Sequence, residues 1–176
     1  MDKNKTDTNN IIINFSFFPF CFRTVSLKEY TNKLESPEQF FDYFSKLFEV
    51  TIHTLSKSTF DNVYAETNRH SHTISPKDEK AYNLVKTILK ELYKNHKKPE
   101  NLERDFELFL ENNINDYHIW QLGLSGGIRL IGRRRSNIFD VLFIDYHHLI
   151  YPDKNHNQDN YKMYNFSPIP SDNGGN

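Results

Sequence analysis

The sequence predicts a single α+β domain in which an antiparallel β-meander sheet is packed by two or three helices. Two observations lead to this fold class. Between residues 117 and 152, apolar residues alternate and tight-turn residues recur, as in short antiparallel strands. Between residues 36 and 114, apolar residues recur at intervals of three and four behind helix-capping sequences. A chain of 176 residues is long enough for one substantial core and short for two.

The meander is predicted to contain strands at 119–124, 128–133 and 139–144, with a last short strand at 148–151. Ser125-Gly126-Gly127 and Ser136-Asn137 supply the turns between the first three strands. The near-continuous apolar run at 141–144 indicates a central strand that is buried on both faces. A further strand at 11–18, ended by Pro19, is expected to join the same sheet.

Two main helices are predicted to cover one face of this sheet. Ser36-Pro37-Glu38-Gln39 is typical of a helix start and predicts a helix from 37 to 56. Its apolar stripe is interpreted as packing and contains Phe40, Phe44, Leu47, Phe48 and Leu55. A second start at Ser75-Pro76 predicts a helix to Tyr93, and a shorter third helix follows Pro99. Residues 60–74 lack a helical stripe and are expected to form a short strand or an ordered loop.

Composition divides the chain into a disordered tail at 1–10, the domain at 11–152 and an irregular C-terminal tail at 153–176. The formal net charge of −1 gives no global attraction to nucleic acid or to an anionic membrane. No stretch approaches the roughly 20 apolar residues of a membrane span. The only cysteine, Cys21, excludes an internal disulfide framework and a cysteine-based zinc site. These observations predict a cytoplasmic protein without a cofactor.

Arg133, Arg134 and Arg135 form the one marked cluster of positive charge, just before the Ser-Asn turn. Guanidinium groups match the geometry of phosphate, so the cluster is a candidate nucleic-acid-binding patch. The alternative is a solvated hairpin tip whose charges discourage aggregation between sheet edges.

Histidines supply the other candidate chemistry. In an extended chain Asp145 and His147 lie on one face, so the carboxylate could orient the imidazole as an acid or a base; alternatively, they form a polar strand end. His70 and His72 would share a face of a strand at a metal-ligand separation, with Asp145 or His147 as a third ligand. A histidine pair of this kind is also common in purely structural settings.

The order strand, helix, helix and antiparallel meander resembles the RelE and ParE toxin superfamily. Three segments carry the resemblance: GGIRLIG at 126–132, NIFDVLFI at 137–144, and the H-x-x-x-Y pattern of His147 and Tyr151. The resemblance implies a RelE-like fold and a toxin-antitoxin role. In the ribonuclease branch it implies metal-independent cleavage of messenger RNA on the ribosome, in which the RNA's own 2′-hydroxyl attacks the phosphate. By the motif match, Arg129 would stabilise the phosphate, His147 would transfer a proton and Tyr151 would hold a nucleotide.

Three functions therefore stay open from the sequence. The first is a RelE-like endoribonuclease that uses Arg129, His147, Tyr151 and Asp145, with RNA or the ribosome and an antitoxin as partners. The second is a non-catalytic protein that binds or inhibits another protein in a defence or mobile-element system. The third is a metal-dependent hydrolase built on His70, His72 and Asp145. An unpaired strand at the sheet edge would also allow a homodimer.

Overall fold

The computed structural model describes residues 9–67, 70–115, 118–123, 126–152 and 159–169. These residues form a five-stranded mixed sheet with the strand order β1-β5-β4-β3-β2. The first strand, β1, pairs in parallel with β5, and every other pair is antiparallel. The α+β class is therefore confirmed, with a mixed rather than an antiparallel sheet. The strands are β1 (Ile12–Asn14), β2 (His72–Ile74), β3 (His118–Leu122), β4 (Arg129–Arg135) and β5 (Ile138–Asp145).

Strand β1 is shorter than the predicted 11–18 because Asn14 ends it. The Asn14 side chain donates to Asp140 Oδ1 at 2.6 Å. Its own Oδ1 accepts from the backbone N–H and the hydroxyl of Ser16 at 3.0 and 2.6 Å. An asparagine that bonds its own backbone two residues later turns the chain, so the extended conformation stops well before Pro19.

The predicted strand at 148–151 does not form. His148 adopts the left-handed conformation with a φ of 56°, which no strand residue has. The Asp145 carboxylate accepts from the backbone N–H groups of His147 and Ile150 at 3.3 and 3.0 Å. These bonds fold the chain into a turn directly after β5, and a sequence pattern gives no sign of it.

Among the described residues up to Asn113, the helices are one continuous run over residues 37–55 and three separate elements. The run, called the first helix below, confirms the predicted helix, and Ser36 Oγ accepts from Gln39 N at 3.3 Å as its N-cap. Its middle is π-helical, which the sequence did not predict. The helical elements are α1 (Pro37–Ser45), a π-helix (Lys46–Ile52), α2 (His53–Leu55), α3 (Phe60–Thr67), α4 (Glu79–Lys97) and α5 (Leu102–Asn113).

The predicted short strand within residues 60–74 forms as β2 (His72–Ile74), but the first half of that segment is helix α3, which the sequence did not predict. Thr59 Oγ1 accepts from Asn62 N at 3.2 Å, which caps the start of the helix. Phe60 and Val63, three residues apart, are buried against the sheet. The segment is short, so a single pair of apolar residues was too little to reveal the helical period.

The sheet is covered on both faces rather than on one. Helices α4 and α5 pack on one face through a cluster that includes Val85, Ile88, Leu89 and Phe106. The first helix and α3 pack on the other face through Leu47, Leu55 and Phe60. Strand β5 lies between both clusters, and Val141 to Ile144 are fully buried, as the apolar run predicted.

The described part of the C-terminal segment lies against the domain. A 3₁₀-helix spans Asp159–Met163, and Phe166 forms a β-bridge with Leu34. The predicted tail at 1–10 falls almost wholly outside the described residues, as do 153–158 and 170–176. Within the described residues, no helix is both long enough and apolar enough to cross a bilayer.

Candidate functional site

Arg129 lies at the start of β4 and is almost completely buried, with 1% of its surface exposed. Its Nη1 donates to the carbonyl oxygens of Gly126 and Ile128 at 2.6 and 2.9 Å. Its Nη2 lies 3.0 Å from His70 Nδ1. Because a guanidinium has only donors, Nδ1 must be the unprotonated nitrogen of His70. Burial lowers the pKa of Arg129, and the charge of Asp145 partly offsets that effect.

Asp145 pairs with Arg129 in the register of the sheet, and its carboxylate is fully buried. Burial raises the pKa of Asp145, and the N–H groups of the following turn oppose that effect. The carboxylate therefore stabilises the backbone after β5. Within the described residues it accepts from backbone N–H groups, and no bond to an imidazole is seen.

His70 and His72 lie at the same end of this sheet face, and Gln121 contacts both. Gln121 Nε2 lies 3.4 Å from His70 O and 3.4 Å from His72 Nε2. Tyr151 packs edge-on against His72 with ring centroids 4.8 Å apart, and Asp78 is its hydrogen-bond partner. Burial and Asp78 raise the pKa of the Tyr151 hydroxyl. Contacts thus connect Gln121 to His70 and His72, His70 to Arg129, and His72 to Tyr151, and we call these five residues the Gln121 cluster.

The Gln121 cluster retains two buried polar atoms without a hydrogen-bond partner among the described residues, Arg129 Nε and Gln121 Oε1. One is a donor and the other an acceptor, and such atoms are costly to bury unpaired. The cluster contains few side chains that could bind a metal ion, namely those of His70 and His72. Within the described part of the chain, no group of three His, Cys, Asp or Glu side chains could hold a metal ion.

His147 has different neighbours from Arg129 and Tyr151. Its Nε2 bonds the Lys33 carbonyl at 2.7 Å, so Nε2 carries the proton. Its ring stacks on Tyr161 at 5.9 Å and lies 5.5 Å from Tyr164, both in the C-terminal segment. Burial lowers the pKa of His147. The structure therefore places this imidazole between the N-terminal loop and the C-terminal 3₁₀-helix.

The arginine triplet divides between the two faces of β4. Arg133 Nε and Arg135 Nε donate to the same oxygen of buried Asp140 at 2.9 and 2.6 Å. Arg133 also stacks on Phe17 with its guanidinium carbon 3.5 Å from the ring centre. Arg134 points the other way, 4.2 Å above the Phe60 ring. The three charges thus form no single patch, and two of them neutralise a buried carboxylate.

A surface that the sequence did not predict lies along the first helix. Six phenylalanine rings follow one another at centroid distances of 4.4 to 5.9 Å. The outer rings face water, with exposed fractions of 66% for Phe41, 38% for Phe44 and 37% for Phe48. The interpretation of Phe44 and Phe48 as core packing is therefore wrong. We call this set the phenylalanine ladder: Phe22, Phe15, Phe48, Phe44, Phe40 and Phe41.

An acidic row accompanies the ladder on the same helix. Glu38, Asp42 and Glu49 are all exposed on the first helix, and Glu38 and Asp42, four residues apart, lie on one face of α1. Lys46 bonds Asp42 at 2.6 Å, so the row keeps a net negative charge. The Ser36 hydroxyl and the backbone N–H of Glu38 lower the pKa of that carboxyl, which keeps it ionised. The surface thus combines aromatic rings with negative charge.

A signal for this surface was present in the sequence. Phe40 and Phe41 are adjacent and therefore point about 100° apart on a helix, so both cannot face one core together with Phe44 and Phe48. A helix with more aromatic residues than its buried stripe can hold must expose some of them.

Comparison with known proteins supplies the family. The model of a family described as "Uncharacterised protein UU032" matches residues 16–174, which is most of the chain. The chain belongs to the UU032 family. The matched range contains strands β2 to β5, the Gln121 cluster and five of the six rings of the ladder.

A UU032 protein from Ureaplasma parvum serovar 3 (strain ATCC 700970) is 28% identical over 102 residues. The match covers 58% of this chain and 50% of that relative, so it spans about half of the relative's length. No solved structure matches the chain. The description of the family and the name of this relative state no activity.

Proposed function

We propose that this UU032 protein is a non-catalytic protein-binding module whose phenylalanine ladder receives an apolar helix flanked by basic residues. The observation that carries the proposal is the run of exposed rings at Phe41, Phe44 and Phe48. Contiguous apolar surface on a folded domain is typical of an interaction site, because exposed aromatic rings cost free energy in water. Helices commonly bind such surfaces through apolar residues at intervals of three and four.

The acidic row selects the chemistry of the partner. Burying the exposed parts of the three rings supplies only about 2–4 kcal/mol. Association costs more than this in lost translational and rotational freedom, so further contacts are required. Basic residues beside Glu38, Asp42 and Glu49 provide them and also steer the approach. Binding of this kind is weak, salt-dependent and transient.

Other occupants fit this surface less well. An anionic lipid surface would be repelled by the acidic row. A second copy of this chain offers basic residues on α4, but the apolar residues Val85, Ile88 and Leu89 of that helix are fully buried in its own core. The exposed lysines of α4 therefore lack the apolar stripe that the ladder needs.

The experiment uses the full chain and three synthetic helical peptides of identical apolar pattern. Their flanking positions carry Lys, Gln or Glu, and binding is measured by calorimetry at low and high salt. The proposal expects the Lys peptide to bind tightest and the Glu peptide at least about tenfold more weakly. Equal affinity of the three peptides, or no binding, would contradict it. Sedimentation of the protein alone would reveal self-association, which would indicate a second copy as the occupant.

The ribonuclease implied by the RelE and ParE resemblance stays a second proposal, and the Gln121 cluster is the observation in its favour. Arg129, His70 and Tyr151 lie at one end of one sheet face. Arginine, histidine and tyrosine are residue types that commonly bind RNA. Burial of Arg129 and coverage of both sheet faces weigh against access of RNA. The test is incubation of the full chain with programmed ribosomes in the presence of a chelator. Cleavage of the messenger RNA would support this activity, and intact RNA would count against it.

A further inference from the structure

A cleft of about 470 Å³ lies beside the π-helical part of the first helix. One wall is formed by Tyr43, Lys46, Val50 and Thr51 of that helix. The other wall is the loop 126–128 together with Tyr146. The volume is within the range of clefts that hold small molecules.

The π-helix shapes the first wall. Seven residues, Lys46–Ile52, wind with wider turns than an α-helix, and such segments are rare and frequently lie at functional sites. Val50 is half exposed in this segment, whereas the next residue, Thr51, is 9% exposed. Thr51 therefore places a polar side chain between the buried side of the helix and the cleft.

The other residues that line the cleft determine which shape of ligand fits it. Tyr43 and Tyr146 stack with ring centroids 6.0 Å apart and an interplanar angle of 27°, so aromatic rings line both walls of the cleft. On the second wall, Gly126 and Gly127 present backbone without side chains. A Cβ built on Gly126 meets nothing within 4 Å, and one on Gly127 approaches only Tyr146 O at 3.6 Å. A flat slot of this kind suits a planar ring.

Lys46 lies at the mouth of the cleft and favours a ligand with an anionic group. Its ammonium group is exposed and uses one of its three donors on Asp42 at 2.6 Å. The remaining donors can bind an anionic group that reaches the mouth. We infer that this cleft binds a planar aromatic molecule that carries a carboxylate or a similar anionic group, with its ring between Tyr43 and the Gly126-Gly127 loop.

The test uses 2-naphthoate as the probe and the neutral 2-naphthamide as its match. Titration of the ¹⁵N-labelled full chain is followed by NMR, and the expected result is saturable shifts at Thr51, Gly126 and Gly127. Gly127→Leu should fill the slot without backbone strain, since its Cβ makes only an ordinary contact, and should weaken naphthoate at least about tenfold.

Charge is tested with a matched pair of lysine variants. Lys46→Gln should weaken naphthoate about fivefold and leave naphthamide unchanged. Lys94→Gln, which removes another exposed lysine paired with a glutamate, should alter neither. Shifts confined to other residues, or full affinity in Gly127→Leu, would overturn the site. Equal affinity of naphthoate and naphthamide for the wild-type protein would overturn the anionic class of ligand.

Discussion

Arg133 Nε donates to Asp140 Oδ2 at 2.9 Å, and the carboxylate that it neutralises has no exposed surface. Arg135 donates to the same oxygen at 2.6 Å, and Asn14 donates to the other oxygen at 2.6 Å. One acidic side chain on β5 thus ties β4 to β5 and holds β1 in place. The pairing also explains why two of the three consecutive arginines serve the fold.

Removing this carboxylate should destabilise the domain strongly. Asp140→Asn leaves Arg133 and Arg135 without their counter-charge, and breaking a buried pair typically costs about 3–5 kcal/mol. Urea unfolding followed by circular dichroism measures the loss. Asp42→Asn, which breaks the exposed pair with Lys46, is the control and should change the free energy of unfolding by less than about 1 kcal/mol. An equal loss of unfolding free energy in the two variants would contradict a strong stabilising contribution of the Asp140 pairing.

The same carboxylate predicts a pH dependence. Burial alone would raise the pKa of Asp140, but hydrogen bonds from Arg135, Asn14 and Arg133 together lower it. Because the pKa is lower in the folded than in the unfolded state, its contribution is complete above a pH of about 4 and is lost as the pH falls through the folded pKa. The difference in stability between wild type and Asp140→Asn should therefore shrink in acid. A constant difference down to that range would contradict the lowered pKa.

Gly132 in β4 and Gly127 just before it should respond differently to replacement by alanine. A Cβ on Gly132 would lie 2.5 Å from Asp140 O and 2.6 Å from the Phe139 ring, at the bulge between β4 and β5. Such overpacking costs about 1–3 kcal/mol. Gly127→Ala meets only an ordinary contact and should be close to neutral. Thermal unfolding of both variants checks this, and a neutral Gly132→Ala would contradict the packing of Gly132 against β5.

His147 should titrate below the ordinary histidine range. Burial lowers its pKa, whereas the bond to Lys33 O and the charge of Asp145 raise it. Its neutral form should carry the proton on Nε2, because that nitrogen bonds the Lys33 carbonyl. Since the folded pKa is depressed, the contribution of this neutral imidazole to stability is lost as the pH falls from the unfolded value through the folded pKa. Imidazole ¹⁵N NMR reads both features, and a proton on Nδ1 would contradict the assigned contact.

The sequence predicted the elements whose signals are local. Ser36 and Pro37 located the start of the first helix, and the run 141–144 identified the doubly buried strand because both depend on near neighbours. The parallel pairing of β1 with β5 joins residues more than 120 positions apart, so no local pattern could reveal it. Likewise, the π-helix and the left-handed His148 arise from tertiary packing and from the Asp145 turn.

The candidate site was predicted only in part. Arg129 and His70 do meet, although the contact joins residues 59 positions apart that were assigned to different hypotheses. His147 was grouped with Asp145 by the alternation of a strand that does not continue past β5. The phenylalanine ladder was overlooked because an aromatic stripe on a helix is usually core, and exposure depends on how much of that stripe the sheet can cover.

The charge preference of the ladder should be reversible. In Glu38→Lys with Glu49→Lys, two exposed carboxylates become ammonium groups while the rings stay in place. The variant should bind the Glu-flanked peptide more tightly than the Lys-flanked peptide, and the difference should weaken at high salt. Calorimetry with both peptides checks the preference. If the variant still favoured the Lys peptide, the acidic row would not be the selecting feature.

The most direct measurement of the proposed function compares two exposed apolar residues. Phe41 is 66% exposed within the ladder, and Leu108 is 45% exposed on α5, outside it. Neither Phe41→Ser nor Leu108→Ser should shift the free energy of unfolding by more than about 0.5 kcal/mol. For the Lys-flanked peptide, Phe41→Ser should raise the Kd at least about tenfold, and Leu108→Ser should leave it unchanged. Equal affinity of the two variants would contradict the assignment of the phenylalanine ladder as the binding surface.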